Sequence, residues 1–126
     1  MRPDVLTGKT YGCRTAERYE VYITLNTFEG KLHEVFVRSG QFESEISILA
    51  DVLGKLISRL LQAAVSPETI AESLEIKGGQ VYGTFRGQNY GSLPMLIALV
   101  IRDFLKEKSN AKQSFTIEQA RLDSPD

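Results

Sequence analysis

Apolar positions along the chain change period twice. Tyr19, Val21, Ile23 and Leu25 alternate with Glu20, Tyr22, Thr24 and Asn26, the period-two pattern of a half-buried strand. "TFEG" at 27 to 30 reads as a turn. Alternation resumes from Leu32 to Arg38, with His33, Val35 and Val37 on one face and Leu32, Glu34 and Phe36 on the other. The two runs predict a hairpin. "TGKTYGCR", from Thr7 to Arg14, offers a third, shorter strand, although its two glycines weaken the pattern.

From Glu43 the period becomes helical. Ile46, Leu49, Val52, Leu53, Leu56, Ile57, Leu60 and Leu61 recur at spacings of three and four, so a helix is predicted over Ser44 to Ala64 with Ser44 as its N-cap. With Ile48 included, the apolar sector covers more of the circumference than one sheet can bury. The surplus predicts a further packing partner, either the third helix or a second copy of the protein. Gly54, costly inside a helix, points to close packing there. "SPET" at 66 to 69 supplies a cap, a proline at the first helical position and an early acid for a short helix ending near Leu74. A third helix is predicted from Ser92, with Pro94 in its first turn, to about Lys108. Its stretch from Met95 to Ile101 is apolar on every face and expected to be buried throughout. The expectation is therefore an α+β domain over residues 1 to 108: an antiparallel sheet of two to three strands packed against two long helices and one short one. Residues 109 to 126 are read as a polar C-terminal tail or an arm docked on a neighbour.

Composition narrows the function classes. The chain has 126 residues, with 15 basic against 16 acidic. One domain is expected, and no global basic field draws the protein to duplex nucleic acid. A bound anion has to be held by a local cluster. The single cysteine, Cys13, excludes an intrachain disulfide and a cysteine-built zinc site. The longest uncharged apolar run, Gly91 to Ile101, is too short to span a bilayer, and the N-terminus lacks the apolar core of a secretion signal. A cytoplasmic protein with no membrane partner is expected.

"GTFRGQNYGSLP", residues 83 to 94, is the densest concentration of candidate chemistry. Phe85, Arg86, Asn89 and Tyr90 stand among Gly83, Gly87 and Gly91. They match the needs of a nucleotide pocket: an aromatic stacks on the base, an amide reads its edge, and a guanidinium pairs with phosphate. Alternatively, Phe85 and Tyr90 pin the loop to the sheet and Arg86 is solvated. Ser92 either caps the third helix or helps its free N–H groups accept an anion. Arg102 interrupts an apolar helix, so it snorkels outward or points into a pocket with Asp103 beside it. The glycine-rich run lacks the lysine and strand–turn–helix order of a P-loop. His33, the only histidine, has no cysteine or serine partner at readable spacing, and no paired carboxylates, HExxH or nucleophile elbow occur. Catalysis is thus not expected, and no cofactor is implied.

"RPDVLTGKTY", "VYITLN", "HEVFV", "LGKLISRLL" with "VSPETIAESL", and "YGSLPMLIALVIRDFL", in that order over residues 2 to 106, resemble the TSCPD domain. The resemblance implies the α+β scaffold, and a relation to adenosylcobalamin-dependent ribonucleotide reductases and to stand-alone, often phage-encoded, proteins. The departures concern cysteine. Where the family carries Thr-Gly-Cys-Gly this chain has Thr15, Ala16, Glu17 and Arg18. Where the family carries Ser-Cys-Pro-Asp it has Ser92, Leu93, Pro94 and Met95. The cysteines expected near Phe42 and Gly78 are missing too, so metal or redox chemistry resting on them does not transfer. Two functions fit. One is a non-catalytic binder of a small nucleotide, of the kind that phages use as a sponge for a nucleotide defence signal. The other is an accessory module docking on a ribonucleotide reductase. For either, a homo-oligomer through Ser44 to Ala64 or through the third helix is expected.

Overall fold

A computed structural model describes the chain except Met1, Arg18, residues 41–44, Gln80 and residues 123–126, together with side chains from residue 110 onward. Strands β1 (Thr7–Arg14), β2 (Glu20–Phe28) and β3 (Lys31–Ser39) form an antiparallel sheet in the order β1-β2-β3. Helices α1 (Glu45–Gln62) and α2 (Pro67–Ser73) follow, then a small hairpin of β4 (Gly83–Phe85) and β5 (Gln88–Tyr90), and finally α3 (Leu93–Leu122). The architecture is the α+β arrangement expected from patterning, with β1 a full eight-residue strand despite its glycines. The predicted cap of α1, Ser44, lies outside the described residues.

Two hairpin turns set the register. Glu29 and Gly30 have φ of 53° and 79°, and Arg86 and Gly87 have φ of 47° and 82°. Positive φ at both central residues is what a two-residue loop needs to match the strand twist. A register shift after Asn26 corrects the expected alternation of β3: Asn26 pairs with Glu34 but Thr27 with Leu32, leaving His33 as the extra residue. Leu32 is thereby buried with the core, whereas Glu34 lies opposite Asn26. Glu34 is nonetheless buried, because Arg2 Nη2 donates to its carboxylate at 2.8 Å and Asn26 Nδ2 at 2.8 Å.

The core lies between the sheet and α3. Tyr11, Cys13, Val21, Ile23, Leu25, Val35 and Val37 face the all-round apolar stretch of α3, in which Leu96 to Ile101 are buried as expected while Met95 is only half-buried. Ile70 and Ala71 of α2, its C-cap Leu74, and Ala50, Ile57 and Leu61 of α1 join it. Helix α1 lies along β3, the sheet's edge strand. Ser58 Oγ accepts from Val35 N–H at 2.9 Å and donates to Val35 C=O at 3.0 Å. Backbone groups that an edge would expose are thereby satisfied. Gly54 makes the approach possible, since a Cβ there would sit 3.0 Å from Val35 O and 3.1 Å from Val37 N.

The third helix does not end near Lys108 but continues to Leu122. Between Ser109 and Leu122 no glycine or proline interrupts the run, so no strong helix breaker stops it. The surplus apolar side of α1 is not covered by α3: Ile48, Leu49, Val52, Leu56 and Leu60 are exposed.

Candidate functional site

Strand alternation places Lys9, Tyr11 and Cys13 on the face of β1 that α3 covers, and α3 presents Asp103 and Glu107, one turn apart, to the first two. The turn between β4 and β5 brings Arg86 onto the same spot. Arg86 Nη1 donates to Asp103 Oδ2 at 2.6 Å and to Glu107 Oε1 at 2.7 Å. Lys9 Nζ is ion-paired with the other Glu107 oxygen. Tyr11 Oη donates to Asp103 at 3.2 Å. The guanidinium also lies over two rings, 5.5 Å from the Tyr11 centroid and 5.6 Å from that of Phe85, which themselves meet edge to face at 6.0 Å. Arg86 thus occupies a left-handed backbone position that costs a non-glycine residue roughly 1–2 kcal/mol. Such a residue persists where its surroundings hold it, and such sites are often functional.

Electrostatics follow from these contacts. Hydrogen bonds from Lys9 and Arg86 hold the Glu107 carboxyl down at about 2. Burial, aided by Glu107 and by the hydrogen bond to Asp103, pushes the Tyr11 phenol well above its usual range. Burial also pushes the Cys13 thiol up. A cleft of about 350 Å³ opens beside the cluster, lined by Lys9, Thr27, Phe104, Glu107 and Lys108, within the range of small-molecule sites.

Of the residues singled out by sequence, Phe85 and Arg86 are brought together. Asn89 is exposed on the hairpin, where its side chain accepts a bond from Thr84 Oγ1 at 3.0 Å. Tyr90 is buried, and its hydroxyl has no hydrogen-bond partner among the described residues. Ser92 caps α3: it accepts from Met95 N–H at 3.1 Å and donates to the Ile76 carbonyl. Arg102 pairs with Glu75 beyond the end of α2. Geometry therefore does not gather all six around one ligand. Lys9, Tyr11, Asp103 and Glu107 were not singled out as ligand residues. The available signals were the alternation of Lys9 with Tyr11 and the four-residue spacing of Asp103 and Glu107.

Three connecting segments meet at the N-terminal end of α3. Gly79 N–H donates to Gly91 C=O at 2.7 Å, and Ala16 N–H to Tyr82 C=O at 2.8 Å. The connection from β1 to β2, the segment after α2 and the start of α3 are thereby joined. The model of the TSCPD domain matches residues 2–105. The chain belongs to the TSCPD family. No curated protein and no solved structure matches it. The chain's single cysteine, Cys13, is buried in the core. Among the described residues no group of three His, Cys, Asp or Glu side chains is placed to hold a metal ion. No helix among them is long and apolar enough to cross a membrane.

Proposed function

We propose that this TSCPD protein is a non-catalytic binder of a small nucleotide that sequesters a nucleotide signal, and that the ligand's phosphate displaces the Glu107 carboxylate from between Lys9 and Arg86. The observation that carries this reading is the placement of Arg86: at a strained turn position, over two aromatic rings, sharing one carboxylate with Lys9. A carboxylate bridging a lysine and an arginine marks a position where a phosphate oxygen would be equally well received. The adjoining cleft, with the Phe104 ring and Lys108 on its wall, takes the nucleoside. Binding without chemistry is supported by the electrostatics of the cluster. A carboxylate held near 2 is a weak base at neutral pH, and a phenol and a thiol pushed upward are poor nucleophiles.

Calorimetry against linear and cyclic adenine and guanine nucleotides tests the reading. Arg86→Ala and Lys9→Ala should each weaken binding roughly ten- to hundred-fold. Glu107→Gln should strengthen it, because the competing internal anion is removed. Arg102→Ala, whose side chain pairs with Glu75, serves as the control. A wild-type protein that binds none of the panel, or a Glu107→Gln variant that binds more weakly, overturns the reading. Docking on a ribonucleotide reductase, the relation that the family suggests, then becomes the function to test.

A further inference from the structure

The outward face of α1 is apolar along most of its length. Ile48, Leu49, Val52, Leu56 and Leu60 are 43–54% exposed and fall within an arc of roughly 120° at 3.6 residues per turn. Opposite them the helix buries Ala50, Gly54, Ile57 and Leu61 against its own protomer. The five exposed side chains offer on the order of 400–500 Å², a large patch for a monomer and about half of a minimal stable interface. A groove of about 430 Å³ adjoins the N-terminal half of the stripe, between Ile46, Leu49 and Leu53 of α1 and Val81, Leu93 and Pro94. Leu56 and Leu60 protrude from the C-terminal half, on the same side of the helix as the groove.

We infer that the occupant of this face is a second copy of the chain, with the two α1 helices packed antiparallel about a two-fold axis at Val52. Such an axis carries Leu56 and Leu60 of each protomer over the groove of the other, the mutual exchange of one patch that an isologous dimer requires. Charge agrees with the same axis. Glu45 stands seven residues before Val52 and Arg59 seven after it, both on the exposed side, and neither has an ion-pair partner among the described residues. The axis sets Glu45 of each protomer against Arg59 of the other. The remaining charges at the stripe's border, Asp51 and Lys55, already pair with each other at 2.8 Å, so no like charges confront one another. This dimer is independent of the proposed nucleotide site, which lies on β1, the β4–β5 turn and α3.

Sedimentation velocity over a wide concentration range, with directed cross-linking, tests it. The wild type, of 14.1 kDa per chain, should sediment as a dimer. Leu56→Asp should raise the dimer Kd about a hundredfold while circular dichroism stays that of a folded chain. Val52→Cys, in a Cys13→Ser background, should form a covalent dimer under mild oxidation, because a residue on the axis meets its own copy; Lys55→Cys in the same background should not. Reversing Glu45→Arg should weaken the dimer, and adding Arg59→Glu should restore it. A monomeric wild type, or a dimer unaffected by Leu56→Asp in which Val52→Cys does not cross-link, overturns the inference. If Leu56→Asp fails to fold, the cysteine pair decides.

Discussion

Tyr90 is buried with a hydroxyl that no described group satisfies, and the position of a Cβ on Gly83 lies 2.7 Å from that oxygen. A buried unpaired hydroxyl carries its desolvation cost without return. Tyr90→Phe should therefore stabilise the fold by about 1 kcal/mol, read as a raised denaturation midpoint in urea. Glu107 has a different signature. Its folded pKa, about 2, lies below the ordinary 4.5, so its contribution is complete above 4.5 and is lost as pH falls toward 2. Glu107→Gln should flatten the acid limb of stability in that window and leave its neutral region nearly parallel to wild type; thermal melts across the acid range check this. Phe85 and Arg86 were legible in the sequence because aromatic and guanidinium groups among glycines are poor choices for a plain connector. Their partners were not, since Lys9 and Glu107 stand 98 residues apart and only packing of β1 against α3 joins them.

At the scale of elements, α1 acts as an edge cover for β3, and its closeness depends on Gly54 and Ser58. Alanine at position 54 gains about 1 kcal/mol of helix propensity. Its Cβ, however, would press on backbone atoms of Val35 and Val37 at 3.0–3.1 Å, which cannot swing away as a side chain could. Gly54→Ala should therefore destabilise the protein by a net of up to about 2 kcal/mol, roughly the cost of overpacking less that gain. Ser58→Ala should cost about 1–3 kcal/mol by leaving both polar groups of Val35 without that partner. Chemical denaturation of the two variants checks both values. The amphipathic period located α1 to within two residues, and the glycine within it flagged the close approach. The register of β3 was hidden because a bulge inserts His33 without breaking the apparent alternation. The length of α3 was hidden because a polar run without glycine or proline resembles a tail as readily as a helix.

In the whole molecule the two exposed specialisations occupy different places. The apolar face belongs to α1, while the charged cluster joins β1, the hairpin and α3. The α+β scaffold followed from two changes of hydrophobic period, since burial of alternating strands under an all-round apolar helix admits few arrangements. The site did not follow, because it is built from single residues of three separated segments. The proposed function rests on Arg86 and Lys9 together holding a nucleotide phosphate. The most direct measurement is mass spectrometry of small molecules released by heat, after the protein has been incubated with a cellular nucleotide extract and desalted. Wild type should release a nucleotide near one equivalent per chain, Glu107→Gln at least as much, and Arg86→Ala little or none. A wild type that releases no nucleotide, or an Arg86→Ala variant that releases the same amount, would contradict it.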